Sequence, residues 1–321
     1  MILVTGATGF IGGYVLRALL DSGHEVVGTS RYSYRPETQY ILGNSMRNVP
    51  LVRADVRNLG LLRTIFADFK PDCVVHLDAY VSPVELKTDP LRAVEYNFVE
   101  TMNVLELARE FGTGRVVFAS SIAVLPSIRY LPIDANHPII TATEGPGGGF
   151  YGASKAASEI FGLTYADSFD LDFRVVRPSA VYGFGMQWPI GVKPVIEGLV
   201  RGEAVEVAGH APLRDYTPVE DVAAVFAAIC DCEPGCDKVF YAGTGQELST
   251  SAEYYAAVRS VFPEGSIILS GANLDPTGVE SRYRGRIDMT PAHAQLGLQP
   301  RYSSLVEGLT AYANTYRAFI S

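Results

Sequence analysis

The 321-residue chain has only four cysteines, five histidines and one tryptophan. Four cysteines in a chain of this length exclude a scaffold built on disulfides. Three of them, Cys230, Cys232 and Cys236, fall together in CDCEPGC. A zinc site needs a fourth ligand and closed geometry, and the neighbouring sequence supplies none, so no metal is expected. The segment reads as a helix end running into a Pro-Gly turn. Cys73 lies in the apolar run PDCVVHL and is expected in the core. No apolar run reaches the roughly 18 residues of a membrane span. A strand pattern beginning at Ile2 leaves no length for a targeting peptide, so the expected location is the cytoplasm. Positive charge is scarce, with 26 Lys and Arg against 35 Asp and Glu for a net charge of −9. That balance argues against a nucleic-acid or anionic-membrane partner, while a few local arginines still suffice for an anionic small molecule. Internal repeats and low-complexity segments are missing as well.

What remains is the composition of an ordinary globular protein, 48% hydrophobic and 19% charged. Its length allows two domains, or one large domain with a lobe. Short β-rich runs alternate with amphipathic ones. ILVTG, HEVVGTS, PLVRADV, CVVHL, RVVFASS and FRVVRPS read as six strands. FIGGYVLRALLDSG, LGLLRTIFADF, PLRAVEYNFVETMNVLELAREFG and YGASKAASEIFGLTYADSF read as helices between them. Strands separated by helices of this size imply parallel pairing through crossovers. Their continuous apolar runs imply a sheet covered on both faces. The expected fold is α/β, a Rossmann-type doubly wound parallel sheet over 1–177 with a smaller C-terminal α/β substrate-binding lobe over 178–321. Part of that second half, about 215–245, is expected to return to the first.

Two stretches carry chemistry. TGATGFIG sits between the first strand and the first helix. Gly6 permits a tight turn, Gly9 lets backbone approach a phosphate and Gly12 lets helix pack on strand. With Thr8 in the turn and the N–H groups of the helix start aimed outward, this is a dinucleotide pyrophosphate cradle. The second stretch is YGASK, where Tyr151 and Lys155 stand four apart and share a helix face. An ammonium beside a phenol favours the phenolate, which would suit Tyr151 to acid/base work near neutral pH. Ser120 and Ser121 end the fifth strand, on the edge where such sheets bind ligand.

In order along the chain, TGATGFIG, Asp55-Val56, HLDA, the Asn97 helix, ASSIAV, YGASK, RPSAVYG and RDYTPVEDVA resemble the extended short-chain dehydrogenase/reductase superfamily, and within it the NAD-dependent epimerase/dehydratase family. The resemblance runs from Ile2 into the closing IDMTPAHAQLGLQPRYSSLVEGL. It implies Tyr151 as acid/base, Lys155 on the nicotinamide ribose and Ser121 as hydrogen-bond partner of the reacting sugar oxygen. It implies adenine contacts at Asp55 and Val56, and a cofactor lining at Leu77, Asp78 and Ala79. Thr8, Phe10, Ile11, Asn97, Pro178 and Val181 join the cofactor side; Ser82, Gln187, Arg214 and Arg282 join the substrate side. Arg214 is the implied grip on substrate phosphates. Trp188 is expected to fill the core of the lobe, and His76 to be structural. Family members pair as homodimers through two long helices, here about 91–111 and 151–169.

The chain also departs from the family. Asp78 and Glu100 replace the usual alanine and glycine, and Ala180 stands where many nucleotide-sugar enzymes carry asparagine. Dehydratases place an Asp-Glu pair where this chain has Ile122 and Ala123, which cannot transfer protons. At the end of the second strand, Ser30 replaces the acid that usually holds ribose hydroxyls, and Arg31 follows. A hydroxyl and a cation there favour NADP over NAD. Two enzyme functions fit: a nucleotide-sugar 4-epimerase, and an NADP-dependent ketone or keto-sugar reductase or alcohol dehydrogenase. A dinucleotide-sensing regulatory protein is a third, more remote reading.

Overall fold

The computed structural model describes residues 1–188, 191–210, 213–273 and 280–321. The first half alternates β1 (Ile2–Thr5), α1 (Phe10–Asp21), β2 (Val26–Ser30), α2 (Pro36–Leu42), β3 (Leu51–Arg53), α3 (Leu59–Phe69), β4 (Cys73–His76), α4 (Pro83–Thr88), α5 (Glu100–Phe111), β5 (Arg115–Ala119), α6 (Gly149–Phe169) and β6 (Asp172–Pro178). The second half holds β7 (Ala180–Tyr182), α7 (Val192–Val200), β8 (Val205–His210), β9 (Tyr216–Pro218), α8 (Val219–Asp231), β10 (Val239–Ala242), α9 (Ser251–Val261), β11 (Ile267–Asn273), α10 (Thr290–Leu296) and α11 (Leu305–Ile320).

Seven strands form one parallel sheet in the order β10-β6-β5-β4-β1-β2-β3. Strand order reverses between β1 and β4, which opens a crevice at the C-terminal edge of the sheet. Successive residues feed opposite cores. Ile2, Val4, Cys73, Val75 and Val117 pack into one layer with α1 and α8, while Leu3, Val74, Val116 and Phe118 pack into the other with α3 and α5. This period of two explains why the strands are apolar throughout: both faces are covered. β10 and α8, from the second half of the chain, belong to this body.

The remaining lobe is built on two small parallel pairs, β11 with β8 and β7 with β9. A separate apolar core from α7, α9, α11 and Tyr182, Phe184, Tyr216 and Tyr254 holds it together. Among the described residues no helix is long and apolar enough to cross a membrane.

Two local differences from the sequence reading have clear causes. The helix entering α5 is π-helical over Ala93–Val99. Here the buried Asn97 side chain accepts from Tyr80 N at 2.7 Å, and donates to Tyr80 O at 3.1 Å and to Ser154 Oγ at 2.9 Å. The widened turn reaches across to β4 and α6, the kind of insertion that recurs at functional sites. The third strand is shorter than the run PLVRADV, because Asp55 turns back to accept from Arg57 N at 3.0 Å.

Candidate active site

The crevice holds a cavity of about 340 Å³ lined by Gly6, Thr8, Gly9, Phe10, Ile11 and Gly12, with Ser30, Arg31, Leu77, Asp78, Ala79 and Val181 around it. Its floor is the turn from β1 to α1. Gly6 takes φ +66, and a Cβ there would come within 2.8 Å of Asp78 N. A Cβ on Gly12 would run into the Gly6 carbonyl oxygen. No side chain caps α1, so its first N–H groups face the cavity with the positive end of the helix dipole behind them. Uncapped N–H groups, a glycine floor and crevice placement fit the pyrophosphate of a dinucleotide.

Thr5 ties the floor to β4. Its Oγ1 accepts from Leu77 N at 3.2 Å and Asp78 N at 3.3 Å, so its own proton goes to His76 Nδ1 at 2.7 Å. His76 Nε2 then donates to Thr101 Oγ1 at 3.2 Å, which donates to Asn97 O at 2.7 Å. Burial, with Lys155 nearby, pushes the His76 pKa down to about 3 and keeps the ring neutral. His76 is structural, as its strand-end position implied.

Beyond β5, Ser121 Oγ accepts from Ala123 N at 3.1 Å and caps a short 3₁₀ turn over Ile122–Val124. Gly152 of α6 abuts the Ala123 carbonyl, a contact that leaves no room for a Cβ. This close approach brings the Tyr151 phenol near enough to Ser121 for the serine hydroxyl to favour its ionised form. Lys155 is buried on the same helix, with Nζ donating to Ala119 O at 2.7 Å and standing 4.7 Å from the Phe118 ring centre. Burial pushes Tyr151 up to about 12, partly offset by the nearby Ser121 hydroxyl. Burial also pulls Lys155 down to about 8, against the pull of Glu100, Asp78 and Glu159. The expectation that Lys155 lowers the phenol's pKa is therefore corrected. The ammonium is committed to the Ala119 carbonyl, and desolvation governs the phenol.

Other expected site residues lie elsewhere. Val56 is fully buried in the core, and its carbonyl accepts from Asn103 Nδ2 at 2.9 Å. Asp55 is paired with Arg57 at 2.6 Å, outside the cavity lining. Asn97 braces Tyr80 and Ser154 and does not line the cavity. Pro178 is buried at the end of β6, facing Ala242 across the sheet. On the substrate side, Ser82 is a buried N-cap of α4, accepting from Glu85 N at 3.4 Å. Arg214 lines a second cavity of about 180 Å³ with Tyr182, Tyr216, Thr244 and Tyr302. The Asp215 carboxylate beside it accepts from Thr217 Oγ1 and from Thr244 N and Oγ1. Arg282 is exposed, and its carbonyl accepts from Ile128 N at 2.8 Å. Gln187, expected on the substrate side, lines the dinucleotide cavity, together with Met186 and Trp188. Trp188 is 40% exposed at the cavity rim, not packed in the lobe core. Tyr32, Val81 and Ala119 complete the lining; Tyr32 and Val81 follow strand ends, Ala119 closes β5, and position was the only available signal.

The cysteines converge in space. Cys73 Sγ lies 3.8 Å from Cys230 Sγ, yet among the described residues no group of three or more ligating side chains could hold a metal. A larger depression of about 720 Å³ opens there, at the opposite edge of the sheet. Its arginines are already occupied. Arg115 donates to Asp172 and to the carbonyls of Ile229, Cys230 and Cys232, and Arg174 to Asp172 and the Pro234, Cys236 and Asp237 carbonyls.

A doubly wound sheet with a glycine floor at its switch point, and a Ser-Tyr-Lys set beside it, defines an enzyme of the nicotinamide-dinucleotide class. Residues 2–241 match the NAD dependent epimerase/dehydratase family, and the chain belongs to it. It is 32% identical to a UDP-glucose 4-epimerase of Mycolicibacterium smegmatis, over 98% of each chain. The crystal structure of a Thermus thermophilus UDP-glucose 4-epimerase in complex with NAD superposes with a TM-score of 0.80, at 26% identity over 98% of each chain. A Thermotoga maritima UDP-glucose 4-epimerase, at 24% identity, shares the fold with a TM-score of 0.83, covering 100% of this chain and 99% of the other. The protein is an NAD-dependent epimerase/oxidoreductase.

Proposed function

We propose that the protein is a nucleotide-sugar 4-epimerase acting on a UDP-sugar with NAD. The observation that carries the reading is the buried Lys155 donating to the carbonyl of Ala119, a lining residue of the glycine-floored cavity, with Tyr151 on the same helix and Ser121 just past Ala119 on the chain. A dinucleotide in that cavity supplies reversible oxidation of a sugar carbinol. The chain's own residues do the rest. The α1 N-terminus and Thr8 would hold the pyrophosphate, and Lys155 would hold a ribose. Ser121 Oγ orients the sugar hydroxyl. Tyr151, once its phenol has released its own proton, would take the hydroxyl proton on the phenolate oxygen as the ketone forms and return it when the opposite face is reduced. Ile122 and Ala123 are buried and carry no proton-transfer group, which disfavours water elimination.

NAD is favoured because the two groups read for NADP are engaged. Ser30 Oγ bonds Thr8 Oγ1 at 2.6 Å, and Arg31 pairs with Asp78 at 3.7 Å. The reductase reading drew on those same two groups, which leaves Ala180 as its remaining support. In the proposed division, 1–177 bind the dinucleotide and 178–321 mainly the substrate, with Arg214 on the substrate diphosphate. We also propose a homodimer paired across Leu91, Val94, Val99, Ile160, Phe161 and Leu163, exposed apolar residues on the two long helices. The proposed location is the cytoplasm, where the four free thiols stay reduced.

The test is incubation of purified protein with UDP-glucose, UDP-galactose and UDP-glucuronate, without added dinucleotide, followed by chromatography of the sugars. Interconversion at C4 is expected. Turnover of simple ketones with NADPH, and none of UDP-sugars, would replace this reading by the reductase.

A further inference from the structure

The cavity wall holds one acid, Asp78, and a second, Glu100, is buried on a neighbouring helix; the sequence marked both as departures and the proposed chemistry uses neither. Asp78 follows β4 in the cavity wall and is 8% exposed; Glu100, at the start of α5, is fully buried. Asp78 Oδ2 and both Glu100 carboxylate oxygens have no hydrogen-bond partner among the described residues. A buried acceptor without a donor is costly, and here the unsatisfied Asp78 oxygen belongs to a cavity-lining residue. Its other oxygen lies 3.7 Å from Arg31 Nη2. Nearby, Arg57 is paired with Asp55 at 2.6 Å and lies 3.9 Å from the Tyr96 ring centre, and Arg53 donates to the Arg31 carbonyl. Arg31 is further held 5.0 Å from the Tyr96 ring centre. Arg31 and Arg57, two of the cations that could meet a 2′-phosphate, are thus already paired with carboxylates.

Resting on the dinucleotide reading of the cavity, we propose that Asp78, backed by Glu100, selects NAD over NADP. Asp78 restores, from the end of β4, the acid that Ser30 fails to supply at the end of β2. It offers a free acceptor to ribose hydroxyls, holds Arg31 away from the ribose, and repels a dianionic phosphate. Glu100 fills the space behind it and packs against the same wall.

The experiment titrates NAD and NADP separately against the full-length protein, read by fluorescence of Trp188, the only tryptophan, which lies at the cavity rim. Wild type is expected to bind NAD about ten-fold or more tightly than NADP, the scale of a like-charge contact. Asp78→Ala with Glu100→Gly should close or invert that ratio, chiefly by tightening NADP. Adding Arg31→Ala should remove the gain. Asp78→Asn with Glu100→Gln preserves shape and should move the ratio the same way, which guards against a packing artefact. A ratio unchanged in folded variants overturns the selector role while leaving the NAD reading intact. Wild-type preference for NADP overturns both, and binding of neither dinucleotide overturns the reading of the cavity itself.

Discussion

Glu159 and Arg177 form a buried ion pair, with Nη2 2.6 Å from Oε2 and Nε 3.0 Å from Oε1. Ser120 Oγ donates to the same carboxylate, and Arg177 Nη1 donates to Tyr241 OH at 3.0 Å. The pair therefore ties α6 and β6 to the β5 corner that carries Ser121. Removing one partner leaves a buried charge unmatched. Glu159→Ala or Arg177→Ala should each cost about 3–5 kcal/mol in denaturant melts. Replacing both by apolar residues of similar volume should recover most of that stability, yet leave turnover low, because the Ser120 anchor is gone. Recovery of turnover together with stability in the double variant would show that the pair does not position Ser121.

Tyr151→Phe removes one oxygen from a half-buried ring packed against the core. Stability and dinucleotide affinity should stay near wild type, since the phenol is not part of the glycine floor. Turnover should fall by about 10²–10⁴-fold, the usual scale of a general acid/base. Steady-state rates beside Trp188 titrations separate the two effects. Substantial residual turnover would assign the proton transfer to another group.

The sheet was legible because each strand is short, apolar and bounded by glycine or proline, and because the β1–α1 glycines stand where a switch-point fold needs them. The expectation for Ser121, Tyr151 and Lys155 rests on the same logic, since a strand end and a helix face fix where such residues meet. Side-chain commitments were not legible. Val56 and Pro178 carry no mark of facing a core or a sheet edge, and Ser82 reads equally as a cap or a ligand. Asn97 proved a brace because Tyr80 and Ser154, both distant in sequence, converge on its amide. The lowered Lys155 pKa depends on burial, which sequence spacing does not report. Glu100 was visible as an anomaly, but its meaning required seeing Asp78 and Arg31 beside it.

Lys155 gives the activity a specific alkaline limit. Burial lowers its pKa to about 8, while Glu100, Asp78 and Glu159 oppose that shift. The ammonium is therefore charged at neutral pH and loses its proton as pH rises through about 8. If a charged Lys155 holds the ribose, kcat/KM should decline with a midpoint near pH 8. Lys155→Arg keeps a charge throughout, so whatever activity it retains should lack that midpoint. A wild-type profile flat to pH 10 would remove Lys155's charge from the mechanism.

Glu100 should make stability itself depend on pH. Burial, with Asp78 and Asp55 adding to it and Arg31 and Arg57 opposing, raises its pKa from 4.5 to about 9. The folded state thus keeps a proton that the unfolded chain releases above its ordinary value. Stability from this group is full below about pH 4.5 and falls as pH rises toward about 9, where the fold must ionise it too. Glu100→Gln carries a permanent neutral side chain of the same shape and has no such slope. Melting temperatures of the two proteins should converge near pH 5 and separate steadily toward pH 9, with the variant higher. Parallel curves across that range would mean that Glu100 is ionised in the fold, matched by Arg31 or Arg57 rather than held neutral by burial.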